Sequence, residues 1–253
     1  MDDVITWADS VEEAFTRICS ILSHCNKHGL VFSADKFKFG RYEVEFAGFS
    51  ITDKGIKPAA KYTESIRNYP TPTNISRVRG WYGLINQVDY CFSKTPIMHQ
   101  FRHLLSPAAV FEWTTELEEA FVTSRQRIID LIQEGMFSFD PALVTCLSTD
   151  WSKDGMGWML QQKTSTCGKV SPSCCTTGWR LVLAGGAFCS KAETNYSPIE
   201  GEATAIVKDT KYYTLGCTNL YVATDHLPLV GTFDKKNLAD IDNKRLARLK
   251  EIP

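Results

Sequence analysis

No stretch of the 253-residue chain approaches the ~20 consecutive apolar residues of a membrane-crossing helix, which argues against a spanning segment. The N-terminus, Met1-Asp2-Asp3, lacks the basic and apolar regions of a secretory leader, so the expected location is cytoplasmic or nuclear rather than secreted. Excess charge of one sign is missing too. The 28 Lys and Arg against 29 Asp and Glu leave a net charge of −1, which argues against nucleic-acid binding through bulk charge. The nine cysteines show no CxxC spacing and are an odd number, so reduced thiols are the simplest reading. Cys167 and Cys174-Cys175 share a polar loop without a nearby histidine, which leaves zinc short of its usual donors. There is no internal repeat.

What is present is ordinary in amount and uneven in distribution. Hydrophobic residues make up 43% and charged residues 23%, as in globular proteins, and the length suits one large domain or two smaller ones. Between Lys57 and Arg102 the charges are Lys57, Lys61, Arg67, Arg77, Arg79, Lys94 and Arg102, opposed only by Glu64 and Asp89. On charge alone this basic island reads equally as a phosphate-binding surface or as a solvated helix face.

Residues 1–55 read as a strand, a helix and a small meander. Ser10 and Glu13 form a capping pair for a helix with Val11, Phe15, Ile18, Leu22 and Cys25 at helical spacing, closed by Gly29. Leu30–Phe32 and Val44–Ile51 follow as short strand-like runs. From Pro58 helices alternate with breakers. Asn74 caps a helix from Ile75 to about Tyr90, Pro96–Leu105 forms another, and Phe111–Trp113 is extended. Thr115 and Glu118 then cap a helix with the stripe Leu117, Phe121, Ser124, Ile128 and Leu131, ending at Gly135. The HxxxH pairs His24/His28 and His99/His103 each lack a third ligand.

The last part is mixed. Val144–Gln162 reads as a hairpin turning at Asp154-Gly155, and Trp179–Ala184 with Gly186–Ser190 as a further strand pair. Ser197-Pro198-Ile199-Glu200 has the chemistry of a helix start, for a helix running to about Leu215, and Asn219–Asp225 is a last strand. Another helix begins near the C-terminus.

Three carboxylates stand out by position. Asp150 and Asp225 each finish an apolar strand, and Glu202 lies in the first turns of the helix between them. An aspartate at a buried strand end needs a turn of amides, a cationic side chain or a metal ion facing it. Singly, Asp150 could cap its turn, Glu202 could suit the helix dipole and Asp225 could open the loop at His226. If the two strands are parallel neighbours, all three meet at one sheet edge, and such a cluster is tolerable only with a divalent cation. All-oxygen ligation suits Mg²⁺ or Mn²⁺, the ions of two-metal phosphodiester cleavage.

These motifs carry a resemblance. Ser148–Gly157, Asn195–Ala205 and Thr224–Leu229 resemble the first-aspartate hairpin, glutamate helix and next aspartate strand of the RNase H-like domain in gypsy-type long-terminal-repeat retrotransposon polyproteins. Upstream, Val44–Phe49 resembles the family's primer-gripping hairpin. Arg67–Pro72, Arg79–Leu84 and Phe111–Thr114 follow its thumb and connection, and Met1-Asp2-Asp3 resembles the Tyr-x-Asp-Asp polymerase motif without its tyrosine. Trp151 departs from the family, which has a small residue there.

The resemblance implies an α/β chain of the α+β kind, with a partial polymerase palm (1–55), a helical thumb (56–110), a connection helix (111–137) and a C-terminally incomplete RNase H-like domain (138–253). It implies a fragment of a reverse transcriptase/RNase H, working on an RNA–DNA hybrid or duplex beside other parts of a polyprotein. Asp150, Glu202 and Asp225 would be catalytic metal ligands for Mg²⁺ or Mn²⁺. Asp2 and Asp3 would be a polymerase remnant without synthesis of its own, and Arg77, Arg79, Trp81 and Tyr82 would contact nucleic acid. The alternatives are a non-catalytic nucleic-acid-binding remnant and an inactive gene fragment.

Overall fold

The computed structural model describes residues 4–169, 175, 177–213 and 217–251, with the side chains of 209–213 left out of the description. Helix α1 (Val11–Lys27) starts as its sequence asks: Ser10 Oγ accepts from the Glu13 amide at 3.1 Å, and the Glu13 carboxylate accepts from the Asp9 amide. None of its residues is buried, and Phe15 is 62% exposed. The apolar stripe read from the sequence is therefore an uncovered face. Among the described residues, neither residues 4–10 nor residues 30–32 join a sheet, which corrects the strands expected there.

Val44–Phe49 turns at Ala47-Gly48 as the hairpin that its resemblance implies, so the Val44–Ile51 run is two strands. Strands β1 (Glu43–Phe46), β2 (Phe49–Thr52) and β3 (Gly55–Pro58) form an antiparallel meander. The first turn needs positive φ at both centres, 50° at Ala47 and 89° at Gly48, the mirror-image geometry that twisted hairpins favour.

The helical middle comprises α2 (Ala60–Arg67), α3 (Ile75–Asn86), α4 (Lys94–Met98) and α5 (Thr115–Glu134). Asn74 caps α3 through its side chain, and that helix ends at Asn86, short of Tyr90. The expected helix over Pro96–Leu105 divides into α4 and a tighter 3₁₀ segment, His99–Leu105. Thr114, one residue earlier than expected, caps α5. Glu118 instead accepts from Trp113 Nε1 at 2.7 Å and Thr71 Oγ1 at 3.0 Å, pinning the preceding loops. At the centre Trp81 and Phe121 meet edge to face at 5.0 Å, both fully buried beside Phe101 and Ile128.

That core does not stop at the helices, because Leu181, Leu183 and Phe188 of the last sheet pack against it. The sheet has the order β6-β5-β4-β7, with β4 (Thr145–Trp151), β5 (Gly155–Lys163), β6 (Trp179–Phe188) and β7 (Leu220–Ala223). The strand pair expected around Gly185 is the single strand β6. Gly185 and Gly186 do not break it; they let Trp158 and the residues Ser93 and Thr95 approach closely. Helix α6 (Pro198–Tyr213) crosses between β6 and β7, and α7 (Leu227–Val230) and α8 (Lys244–Lys250) follow. The α+β architecture is as expected. Among the described residues no helix is long and apolar enough to cross a membrane.

Candidate active site

The decisive pairing is β4 with β7. They run parallel, with Ser148 opposite Ala223, so Asp150 and Asp225 each stand two residues further on at the same sheet edge. Opposite Asp150 on its other side is Gly157 of β5. A Cβ on Gly157 would approach Ser93 Oγ to 2.7 Å, so this side of the sheet faces the α4 segment. Alternation along β4 turns Trp151 to the opposite side, where it packs on α6 so tightly that a Cβ on Gly201 would lie 2.1 Å from its ring.

Glu202 meets the strand at the peptide between those two residues. Its Oε1 accepts from the Trp151 amide at 3.2 Å, and its Oε2 is buried without a hydrogen-bond partner. The local sequence explains its placement. The Ser197 amide and hydroxyl both donate to Glu200, which also accepts from Asn243, so Glu200 closes the helix start. Two residues along, Glu202 is carried inward and is only 6% exposed. Desolvation by burial, then the nearby charges of Asp150 and Asp225, push its carboxyl up to about 7, against one lowering contribution from the Trp151 amide. The three carboxylates thus act on one another electrostatically. Among the described residues, however, no group of three or more His, Cys, Asp or Glu side chains is spaced to hold a metal ion.

A cavity of about 270 Å³ adjoins Asp150, lined on one side by Ser93, Thr95 and His99 and on the other by Ser152 and Asp154. Its rim is tied down. Arg102 donates to the Asp154 carbonyl and carboxylate and to the Cys189 carbonyl, and His99 Nε2 lies 3.0 Å from Asp154. Sequence reasoning did not single out this bridge, since Arg102 and Asp154 lie 52 residues apart. The one available signal was Asp154 at a turn.

The other expected site residues fare differently. Arg77 and Arg79 are exposed on α3, and Arg79 donates to the Ser106 carbonyl. Trp81 belongs to the core and has no surface to offer a ligand, which corrects its assignment to nucleic-acid contact. Tyr82 is half-buried, stacked near Phe188 with the Lys94 ammonium over its ring. Much of the basic island is already paired: Lys94 with Asp89, Arg67 with Glu64, and Arg102 with Asp154. Asp2 and Asp3 lie outside the described residues.

Comparison with known proteins agrees with this topology. Residues 140–252 match the family described as the RNase H-like domain found in reverse transcriptase. This part of the chain is similar to that family. The similarity extends upstream of it. The retrovirus-related Pol polyprotein from transposon 412 of Drosophila melanogaster is 29% identical over 94% of the chain, and the transposon Tf2-3 polyprotein of Schizosaccharomyces pombe is 27% identical over 98%. In both cases the chain spans 18% of the relative's length. Among solved structures, a foamy viral protease-reverse transcriptase in complex with an RNA/DNA hybrid aligns with 96% of this chain and 32% of its own, at TM-score 0.69 and 14% identity. The same type of enzyme with double-stranded DNA aligns with 92% and 47%, at TM-score 0.65 and 15% identity. These likenesses establish the fold of the RNase H-like domain together with the helical region ahead of it.

Proposed function

We propose that the chain serves as the RNase H part of a gypsy-type retrotransposon reverse transcriptase, hydrolysing the RNA strand of RNA–DNA hybrids inside the cell, in the cytoplasm or nucleus. The observation that carries this reading is the parallel β4–β7 register with Glu202 beside it, which brings Asp150, Asp225 and a buried glutamate to one sheet edge. The working division is palm remnant 1–55, thumb 56–110, connection 111–137 and RNase H-like domain 138–253.

RNase H-like domains generally use divalent metal ions, and the residues here fit one. A buried carboxylate oxygen without a partner and two further carboxylates that raise its pKa are what a cation would relieve. Asp150, Glu202 and Asp225 would hold Mg²⁺ or Mn²⁺, which when bound would supply an activated water and charge neutralisation at the phosphodiester. The chain's own residues do the rest. The Trp151 amide orients Glu202, and the parallel strands fix the spacing of the aspartates. Arg102 steadies the turn after Asp150, and Arg77 and Arg79 offer charge along the path of a duplex backbone.

The test is cleavage of a labelled RNA–DNA hybrid by purified chain with Mg²⁺ or Mn²⁺. Activity that persists unchanged in Asp150→Asn would remove the site assignment.

A second reading, a non-catalytic binder, has one observation in its favour: among the described residues the carboxylates are not gathered into a cage. It predicts hybrid binding with steep salt dependence and no metal-dependent cleavage.

A further inference from the structure

The polar loop between β5 and β6 has no part in the proposed hydrolysis, yet it holds a close pair of thiols. The ends of this loop are drawn together by backbone bonds, the Thr164 amide donating to the Gly178 carbonyl at 2.8 Å and the Ser165 amide to the same oxygen at 3.3 Å. Gly178 permits the approach, since a Cβ there would lie 2.7 Å from both Cys175 Cβ and Ser165 Oγ. The result is a separation of 3.1 Å between the sulfurs of Cys167 and Cys175, with Ser165 Oγ 3.5 Å from one and 3.4 Å from the other. Lys163 Nζ donates to the Cys167 and Lys169 carbonyls, holding that side of the loop down.

Three other thiols differ in kind, whereas Cys19, Cys25 and Cys217 share the accessibility of the pair but, among the described residues, have no neighbouring sulfur. Cys91, Cys146 and Cys189 are buried, and burial pushes each of them up, away from the reactive thiolate. Cys167 and Cys175 are half-exposed, so a small oxidant can reach them.

We infer that Cys167 and Cys175 are a redox-modifiable dithiol that closes reversibly to an intramolecular disulfide. A bonded pair needs an S–S distance of about 2.05 Å, so the sulfurs must close by about 1 Å. The oxidant is a low-molecular-weight disulfide. The thiolate of one cysteine attacks it, forming a mixed disulfide and expelling one small thiol. The second cysteine's thiolate then attacks the protein-side sulfur and expels the other. The protein dithiol is oxidised by two electrons, the small disulfide is reduced to two thiols, and the two protons from the cysteines end on those thiols.

The pair sits far from the carboxylates along β5. Gly157 faces Asp150, whereas Lys163, six residues further along that strand, opens the loop. Closure therefore staples the loop and leaves the candidate active site as it is.

The experiment is titration of the full chain with oxidised glutathione, followed by alkylation and peptide mapping. A product about 2 Da lighter, carrying a Cys167–Cys175 linked peptide and reverting with dithiothreitol, is expected, while Cys91, Cys146 and Cys189 stay alkylatable. Cys174→Ser should form the same link, and Cys175→Ser should accumulate glutathione on Cys167. Persistent mixed disulfides in the unaltered chain, or a link from Cys167 to Cys174, would overturn the assignment. Because the mapping is done on unaltered protein, a poorly folding variant cannot decide the outcome.

Discussion

Arg102 holds Asp154 twice over, donating to its backbone carbonyl at 2.8 Å and to its carboxylate at 2.9 Å, while its other terminal nitrogen donates to the Cys189 carbonyl at 2.9 Å. One guanidinium thus joins the 3₁₀ segment, the turn after Asp150 and the end of β6, with its plane near the Phe188 ring. A lysine has one nitrogen and cannot span these acceptors.

Arg102→Ala should destabilise the chain by about 2 kcal/mol, the scale of lost charge-assisted hydrogen bonds at a half-buried site. Arg102→Lys should recover less than half of that. The midpoint of urea unfolding reads both, and a lysine variant as stable as the parent would show that the fork geometry is unimportant.

The raised carboxyl of Glu202 has a stability consequence with a definite sign. Between its ordinary value of 4.5 and about 7, the folded chain keeps a proton that the unfolded chain has lost, so stability falls as pH rises through that window. Glu202→Gln should match the parent at pH 4 and exceed it by about 1–3 kcal/mol at pH 8 without divalent cation. Adding Mg²⁺ should narrow the gap by stabilising the parent alone. Thermal unfolding at the two pH values checks this, and a variant no more stable than the parent at pH 8 would contradict it.

For hydrolysis, replacing Asp150 or Asp225 with Asn should lower the cleavage rate by roughly two orders of magnitude, about 3 kcal/mol of transition-state stabilisation. Circular dichroism should show both variants folded. A folded Asp225→Asn variant with full activity would separate that residue from the site.

The fit of Trp151 on Gly201 predicts coupling. Gly201→Ala forces a methyl into the indole and should cost about 1–3 kcal/mol. Combining it with Trp151→Ala should cost less than the two single changes added together, because the smaller side chain makes room. Additive unfolding free energies would mean that the two side chains do not press on each other in solution.

On α3 the prediction divides the helix. Arg77→Gln with Arg79→Gln should weaken hybrid binding and flatten its salt dependence by roughly 0.9 in logarithmic slope for each phosphate that the arginines had neutralised. Trp81→Ala should instead unfold the helical core, at about 3–5 kcal/mol. A salt titration by fluorescence anisotropy distinguishes the two outcomes.

What the sequence by itself determined here is local. Ser10 and Asn74 begin helices because a side-chain oxygen accepts from a first-turn amide, wherever that helix lies. Ser197-Pro198 begins another because Pro198 fixes φ and Glu200 accepts from the Ser197 amide. The Asp154-Gly155 turn likewise sets the Asp150 hairpin, and two aspartates at strand ends with a glutamate between them already pointed to a carboxylate site. The tertiary structure decided what depends on residues distant in sequence. Trp81 and Arg79 are two positions apart on an amphipathic helix, and only the arrival of Phe121 makes one core and leaves the other at the surface. The stripe on α1 has the periodicity of a buried face and remains uncovered, because periodicity describes a helix and not its neighbour. The parallel register of β4 and β7, which brings Asp150 level with Asp225, is set by hydrogen bonds between segments about 75 residues apart and by the crossing of α6 between them.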